Sequence, residues 1–286
     1  MTITIDLKDA NGDGKGINFN SYLKSFDKKF EASGYGGFIN ETESGSIPGG
    51  NYVIRGDDYV SWDGKKNGQS VILEGGSDGW KYDFSNGHVM SGDVQAITFG
   101  MKTKTHNGNP EFTNNGEVRI SFDEMKISNY NKHWLRDLSD GETKGLLKFL
   151  NSDSIEFHGS NGRDVFTSFN KADELHGGGG RDKLDGGKGA DLIHGGTGRD
   201  TLTGGKGADT FLFEAGDGKD KITDFGKGDD SVELSGLGVA NFGELKGLME
   251  QKGKNVVIDF GHGDVLTFLD VDKSDFTKDD FTIYQW

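Results

Sequence analysis

From Gly177 to Leu212 the chain reads GGGGRDKLD, GGKGADLIH, GGTGRDTLT and GGKGADTFL, four nonapeptides in a row that keep the pattern G-G-x-G-x-D-x-U-x, U being apolar, without a slip. Two looser copies precede them in the same frame, GSNGRDVFT from Gly159 and SFNKADELH from Ser168, and both retain the sixth-position acid. Glycine lacks the Cβ that forbids left-handed backbone, so the first six residues of a unit can turn sharply, and the last three form a short strand. The eighth position alone faces the core and holds Phe166, Leu175, Leu184, Ile193, Leu202 and Phe211, every one apolar. A solvated Gly/Asp linker would not keep an apolar residue at every ninth position.

With two nonapeptides per turn, Asp164, Asp182 and Asp200 stack along one edge of a parallel roll, and Asp173, Asp191 and Asp209 along the other. Like charges held at a strand spacing of about 4.8 Å repel unless a cation lies among them. Calcium fits that place, because it takes six to eight oxygens in flexible geometry, whereas magnesium demands a stricter octahedron and keeps its own waters.

The nonapeptides resemble the RTX (repeats-in-toxin) calcium β-roll over roughly residues 158 to 229. The resemblance implies that second- and fourth-position carbonyls join the aspartates as ligands, here Gly178, Gly180, Gly187, Gly189, Gly196, Gly198, Gly205 and Gly207. The first two units lack several of these glycines.

Beyond the roll, GDGKDKITDF, GKGDDSVELSGLG and KNVVIDFGHGDVLTFLDV read as short strands between Gly/Asp turns, suited to cap the open end. Their order, closing on DDFTIYQW, is similar to the C-terminal part of serralysin-like RTX proteins. That resemblance implies a type I secretion apparatus as partner, an uncleaved C-terminal signal and an extracellular location. The start, MTITID, offers no basic segment followed by an apolar core, which disfavours Sec export.

Composition narrows the rest. The 286 residues allow two domains. Asp and Glu number 47 against 32 Lys and Arg, and a net charge of −15 repels phosphate backbones and anionic lipid, so neither nucleic acid nor membrane is expected as a partner. No run of eighteen apolar residues exists to insert into a bilayer. There is no cysteine, so neither disulfides nor thiolate metal sites hold the fold, and 48 glycines against two prolines mark the repeat. Neither HExxH nor G-x-S-x-G occurs and no nucleophile sits beside an evident base, so the chain reads as a binding protein and not an enzyme.

Upstream of the repeats, residues 18–32 place Phe19, Tyr22, Leu23, Phe26 and Phe30 at helical spacing. Residues 51–128 alternate as strands, and a second helix is expected over Ser139–Leu150, opening on the box Ser139-x-x-Glu142 and covering the first turn of the roll. The order of these pieces resembles HasA-type haemophores across most of residues 1 to 135: Ser21-Tyr22-Leu23 with Phe30, then GGNYVI, a strand holding Tyr82, and His88-x-x-x-Gly92 ending in Phe99-Gly100. By that resemblance Tyr82 ligates haem iron, His88 supports the tyrosinate, and the second axial position falls at Tyr35, where the family commonly has histidine. It further implies haem or a haem protein and an outer-membrane receptor as partners. A two-residue Asn86-Gly87 turn would pair Ser85 with His88 and face His88 away from Tyr82, while a three-residue turn would bring both to one face.

The expected architecture is therefore an N-terminal α+β domain, a haemophore-like antiparallel sheet with helices (1–137), a capping helix and linker (138–157), an all-β parallel β-roll (158–229) and a C-terminal β cap with the secretion signal (230–286). Function divides between a secreted haem carrier folded by extracellular calcium and a calcium-stabilised surface or matrix protein without haem. Two smaller signals stay open. Asp9, Asn11 and Asp13 match half an EF-hand loop but meet Asn20 at its twelfth position, so an ordinary turn competes with a weak calcium site. His158, His176 and His194, eighteen apart at the ninth position, form either a polar stripe or a zinc- or copper-binding ladder.

Overall fold

A computed structural model describes the backbone of residues 2–8, 15–29, 37–47, 51–62, 69–83, 89–101, 103–106, 109–112, 116–126 and 143–285, and the side chains of 2–8, 15–25, 95–99, 118–122 and 143–285. The chain forms two compact units, Met1–Ile5 with Ser21–Leu150, and Asp6–Asn20 with Asn151–Trp286. The first is α+β and antiparallel; the second is a parallel roll with a β cap.

Strand β1 (Thr2–Leu7) and helix α1 (Phe19–Lys29) each run across the division between units. The sheet of the first unit is built from β2 (Gly37–Ile47), β3 (Asn51–Trp62), β4 (Gln69–Asp83), β5 (Val89–Met101) and β8 (Gly116–Lys126), in the order β2-β3-β4-β5-β8. Between β5 and β8 lies a small hairpin of β6 (Thr103–His106) and β7 (Asn109–Phe112). Residues 69–83 run as one long strand, β4, whose register with β5 shifts on either side of Gly75. Ala96, Ile97, Thr98 and Phe99 are all buried, so β5 is covered on both faces. Tyr22 of α1 meets Phe99 edge-on at 6.4 Å, and Phe122 of β8 meets Phe149 at 5.6 Å. Phe149 lies on the helix Lys144–Leu150, the part of the expected second helix that is described; Ser139 and Glu142 lie outside the described residues.

In the second unit seven strands alternate between two walls, β9 (Ser154–His158), β10 (Val165–Thr167), β11 (Glu174–His176), β13 (Lys183–Asp185), β14 (Leu192–His194), β16 (Thr201–Thr203) and β17 (Thr210–Glu214), while two short turn strands, β12 (Gly179–Gly180) and β15 (Thr197–Gly198), pair with each other outside both walls. They continue as β18 (Lys219–Ile222), β19 (Ser231–Ser235), β20 (Met249–Lys252), β21 (Asn255–Gly261), β22 (Asp264–Phe268) and β23 (Phe281–Tyr284). One wall is β9-β11-β14-β17-β19-β23 and the other β10-β13-β16-β18-β22-β21-β20, all parallel as far as β23 and β22. Eighth-position residues are in register from turn to turn, Phe157, Leu175, Ile193, Phe211 and Val232 on the first wall and Phe166, Leu184, Leu202, Ile222 and Phe268 on the second. The space between the walls is filled by one buried apolar side chain from each of β10, β11, β13, β14 and β16 and by two from each of the longer strands β9, β17 and β19.

Both ends of this column are closed. At the first, Asn18 bridges to Val165, Thr167 N–H donates to Asn20 Oδ1 at 3.2 Å, and the Phe19 ring sits edge-on to Phe166, which stacks on Phe157 at 4.1 Å. At the other, Phe225, Phe268, Phe276 and Phe281 form an aromatic plug, with Phe276 buried against Phe268 at 4.9 Å. Among the described residues no helix is long and apolar enough to cross a membrane.

Candidate metal sites along the edges of the roll

Each turn of the roll ends where its sixth-position aspartate enters the edge. The side chain cannot reach solvent there, since Asp164, Asp182, Asp191, Asp200 and Asp209 are all at most 2% exposed. One carboxylate oxygen is used structurally. Asp164 N–H donates to Asp182 Oδ1 at 2.8 Å, Asp182 N–H to Asp200 Oδ1 at 2.7 Å, Asp173 N–H to Asp191 Oδ1 at 2.8 Å and Asp191 N–H to Asp209 Oδ1 at 3.0 Å, so each row of aspartates is also a hydrogen-bonded ladder.

The other oxygen is left over. Oδ2 of Asp182, Asp191, Asp200 and Asp220 is buried without a hydrogen-bond partner, although folded proteins pair nearly all of their buried polar groups. Burial raises these carboxyls far above the ordinary range, with like-charged neighbours adding to it: Asp182 to about 8, Asp191 to about 7, Asp200 to about 6 and Asp220 to about 8. Asp173 and Asp209 are raised as well, chiefly by burial. An acceptor with no donor, stacked above another of the same kind, is a place for a cation.

Glycine makes room for that arrangement. A Cβ on Gly177 or Gly195 would stand 2.7 Å from Oδ2 of Asp182 or Asp200 in its own unit. The second- and fourth-position glycines Gly178, Gly180, Gly187, Gly189, Gly196, Gly198, Gly205 and Gly207 all have positive φ, reaching +147° at Gly198, a conformation closed to side chains. The Gly178 carbonyl accepts from Thr197 N–H at 2.9 Å and that of Gly187 from Lys206 N–H at 3.0 Å, and each keeps a second lone pair. Among the described residues no three His, Cys, Asp or Glu side chains gather as a metal-holding group; backbone carbonyls and water are the other oxygens a hard cation takes.

A family model described as the RTX calcium-binding nonapeptide repeat matches residues 158–193 and 185–220. This segment is an RTX calcium-binding roll. Similar solved structures include the holo haemophore HasA from Yersinia pestis, at 17% identity and a TM-score of 0.38 over 52% of this chain and 87% of that one. Another is the AlgE6R3 subunit of the mannuronan C5-epimerase from Azotobacter vinelandii, at 27% identity and a TM-score of 0.35 over 42% of this chain and 77% of that one. No curated protein matches the chain.

The RTX roll runs further than the nonapeptide frame. Asp200 N–H donates to Asp220 Oδ1 at 2.9 Å and Asp209 N–H to Asp230 Oδ1 at 3.1 Å, so each row gains a member. Steps of 20 and 21 residues replace 18 there, which hides these two aspartates from a search in nines. The local signal is still present as Asp220-Lys-Ile222 and Asp230-Ser-Val232, the D-x-U core of a unit. Asp224 and Asp264, also outside the frame, tie down glycine turns: Asp224 accepts from Gly204 and Gly205 N–H, and Asp264 from Gly216 and Gly218 N–H.

The first two units differ in kind. Asp164 Oδ2 accepts from Ser160 N–H at 2.6 Å and Ser160 Oγ–H at 2.8 Å, and Asp173 Oδ2 accepts from the Ser168 hydroxyl. Serine donors thus occupy the oxygen that is bare at Asp182, Asp191, Asp200 and Asp220. Asp164 and Asp173 also anchor the entrance, through Ile17 N–H and Ile155 N–H respectively.

His158, His176 and His194 stand in register on one wall, with ring centroids 5.8 and 5.9 Å apart. Each is engaged by carboxylates: His158 with Asp6 at 3.0 Å and Glu156 at 3.2 Å, His176 with Glu174 at 2.8 Å, His194 with Asp217 at 3.1 Å. Burial works to lower the His194 pKa, but the hydrogen bond and charge of Asp217, together with the Glu214 and Asp220 carboxylates, outweigh that and raise it. Of the residues expected at a haem site, Tyr82 lies on β4 opposite Ile54 and Met90, while His88 and Tyr35, like Asp9, Asn11 and Asp13, lie outside the described residues. The β4–β5 ladder pairs Asp83 with Val89, one residue out of step with the pairing of Ser85 to His88.

Proposed function

We propose that this is a secreted calcium-binding protein whose RTX roll folds when calcium enters the two aspartate rows outside the cell. On one edge the ligands are Asp182, Asp200 and Asp220, with Asp164 at the end of the row. On the other they are Asp191 and Asp209, with Asp173 at its end. Carbonyls of Gly178, Gly180, Gly187, Gly189, Gly196, Gly198, Gly205 and Gly207 complete the shells. Asp164 and Asp173 bind most weakly, because calcium there must displace a serine donor. The observation that carries this reading is the set of buried Oδ2 atoms without donors at Asp182, Asp191, Asp200 and Asp220.

Calcium supplies the missing charge, and the residues of this chain supply the rest. Oδ1 of each aspartate holds the neighbouring turn through its amide, Oδ2 faces its own first glycine, and the positive φ of the fourth glycine turns the chain inward. Where calcium is scarce the carboxylates repel and the roll stays open and threadable, consistent with export by a type I apparatus; where it is abundant, binding energy becomes folding energy. Circular dichroism of the full chain during a calcium titration in chelator-stripped buffer tests this. Strand signal should grow cooperatively with calcium and not with equal magnesium; equal growth with both would defeat the reading.

We further propose that the first unit takes haem through Tyr82, with His88 supporting the tyrosinate and Tyr35 at the second axial position. The support is the motif order around these residues and the hairpin register, which leaves positions 82 and 90 on one face. Haemin added to the apo chain should give a Soret band that is lost in Tyr82→Phe. No band in wild type would leave a calcium-stabilised surface or matrix protein.

A further inference from the structure

The residue just before each edge aspartate differs between the two edges. Before Asp164, Asp182, Asp200 and Asp220 stand Arg163, Arg181, Arg199 and Lys219. Before Asp173, Asp191, Asp209 and Asp230 stand Ala172, Ala190, Ala208 and Asp229. The aspartate ladder fixes the spacing, so the four cations rise in a column at about one strand spacing, 4.8 Å, per turn. All four are exposed, and among the described residues none has a side-chain hydrogen bond or ion pair. A column of unpaired cations costs free energy by like-charge repulsion, and it does so on a chain carrying 47 acidic residues that could have neutralised it.

Beside this column the surface is concave. Arg181, Arg199, Lys219 and Lys221 line a trough of about 480 Å³ together with Thr201 and Thr267, with Asp200 and Asp220 at its floor. Lys221 stands in register between Thr201 and Thr267, so hydroxyls alternate with cations across the wall. Once calcium neutralises the floor aspartates, the trough presents cations and hydroxyls with one apolar side chain, Val265, among them.

We propose that this trough binds a linear acidic glycan bearing about one carboxylate per sugar, with Arg181, Arg199 and Lys219 each taking a carboxylate on successive turns. Arginine forks match a carboxylate bidentately, and Thr201 and Thr267 serve sugar hydroxyls. Nucleic acid fits less well: single strands are held by stacking bases on aromatic side chains, and the trough has none. The net charge of −15 also opposes a polymer as densely charged as DNA. This site goes beyond calcium binding but rests on it, because the column exists only in the folded roll. By linkage, glycan and calcium should raise each other's affinity by the same factor.

The test uses the full chain in saturating calcium, with circular dichroism recorded on the same samples. A fluorescent hexameric oligouronate is titrated by anisotropy, beside its methyl-esterified form and a single-stranded oligothymidylate of equal charge. Wild type should bind the oligouronate and neither control. Arg181→Gln/Arg199→Gln/Lys219→Gln should weaken binding at least tenfold and flatten the dependence of log affinity on log salt by about one unit per contact removed. Lys171→Gln/Lys188→Gln/Lys206→Gln, exposed on the other edge and equal in charge change, should stay within twofold. Equal loss in both variants, or no binding by a wild type that has folded with calcium, overturns the site. Oligothymidylate binding as tight as oligouronate reassigns it to nucleic acid. A wild type that does not fold with calcium defeats the calcium reading instead.

Discussion

Removing calcium while lowering the pH should partly restore the roll. In the fold Asp182, Asp191, Asp200 and Asp220 are raised to about 8, 7, 6 and 8 from 3.8. At pH 5.5 the folded metal-free roll therefore holds roughly three and a half protons on these groups that the unfolded chain does not, and at pH 9 almost none. A pKa raised in the fold stabilises below the unfolded value, and that stabilisation fades as pH climbs through the folded one. Metal-free stability should thus fall steadily from pH 5.5 to pH 9, by about 1.4 kcal/mol per pH unit for each proton involved. The assay is circular dichroism of the full chain in EGTA across that range, with thermal melting at each pH. His194, raised through Asp217, contributes in the same direction but by one proton at most. To isolate the aspartates, the same series is run on Asp182→Asn/Asp200→Asn/Asp220→Asn, in which the dependence should be mostly lost. A flat profile in wild type, or an unchanged one in the triple variant, would refute the reasoning.

The same triple variant should fold in EGTA at pH 8 better than wild type yet gain little from calcium, since the amide mimics the protonated acid; calcium-dependent melting checks this. Leu202→Ala, in the single apolar file of the second wall, should cost about 2–5 kcal/mol and lower the calcium-loaded melting temperature by about 5 to 15 °C, with calcium stoichiometry unchanged by calorimetry. Gly198→Ala should be worse than Gly216→Ala: both need positive φ, but a Cβ at 198 also meets the Gly180 carbonyl while one at 216 meets nothing. Comparative melting in calcium decides it, with a cost of about 1–3 kcal/mol expected from strain alone.

The roll was readable because its information is local and repeated: one apolar residue, one acid and fixed glycines in every nine. The register of Leu184 on Leu202 and of Ile193 on Phe211 follows from that period. Asp220 and Asp230 escaped because two or three extra residues enter each of their turns, although the aspartate ladder continues across the insertion. The serines at 160 and 168 were visible as departures from glycine, but their role depends on where their donors point. The first cap was not legible at all. Phe19 reads as one member of an amphipathic helix, yet its ring closes the roll on Phe166, and Asn20 reaches a partner 147 residues away, a pairing no local pattern encodes.

Calcium is expected where the bare Oδ2 atoms lie. Anomalous diffraction from crystals of the full chain grown in calcium tests that directly. Peaks should lie about 2.3–2.6 Å from Oδ2 of Asp182, Asp191, Asp200 and Asp220. Calcium confined to other carboxylates, with these four oxygens facing only protein or water, would contradict it.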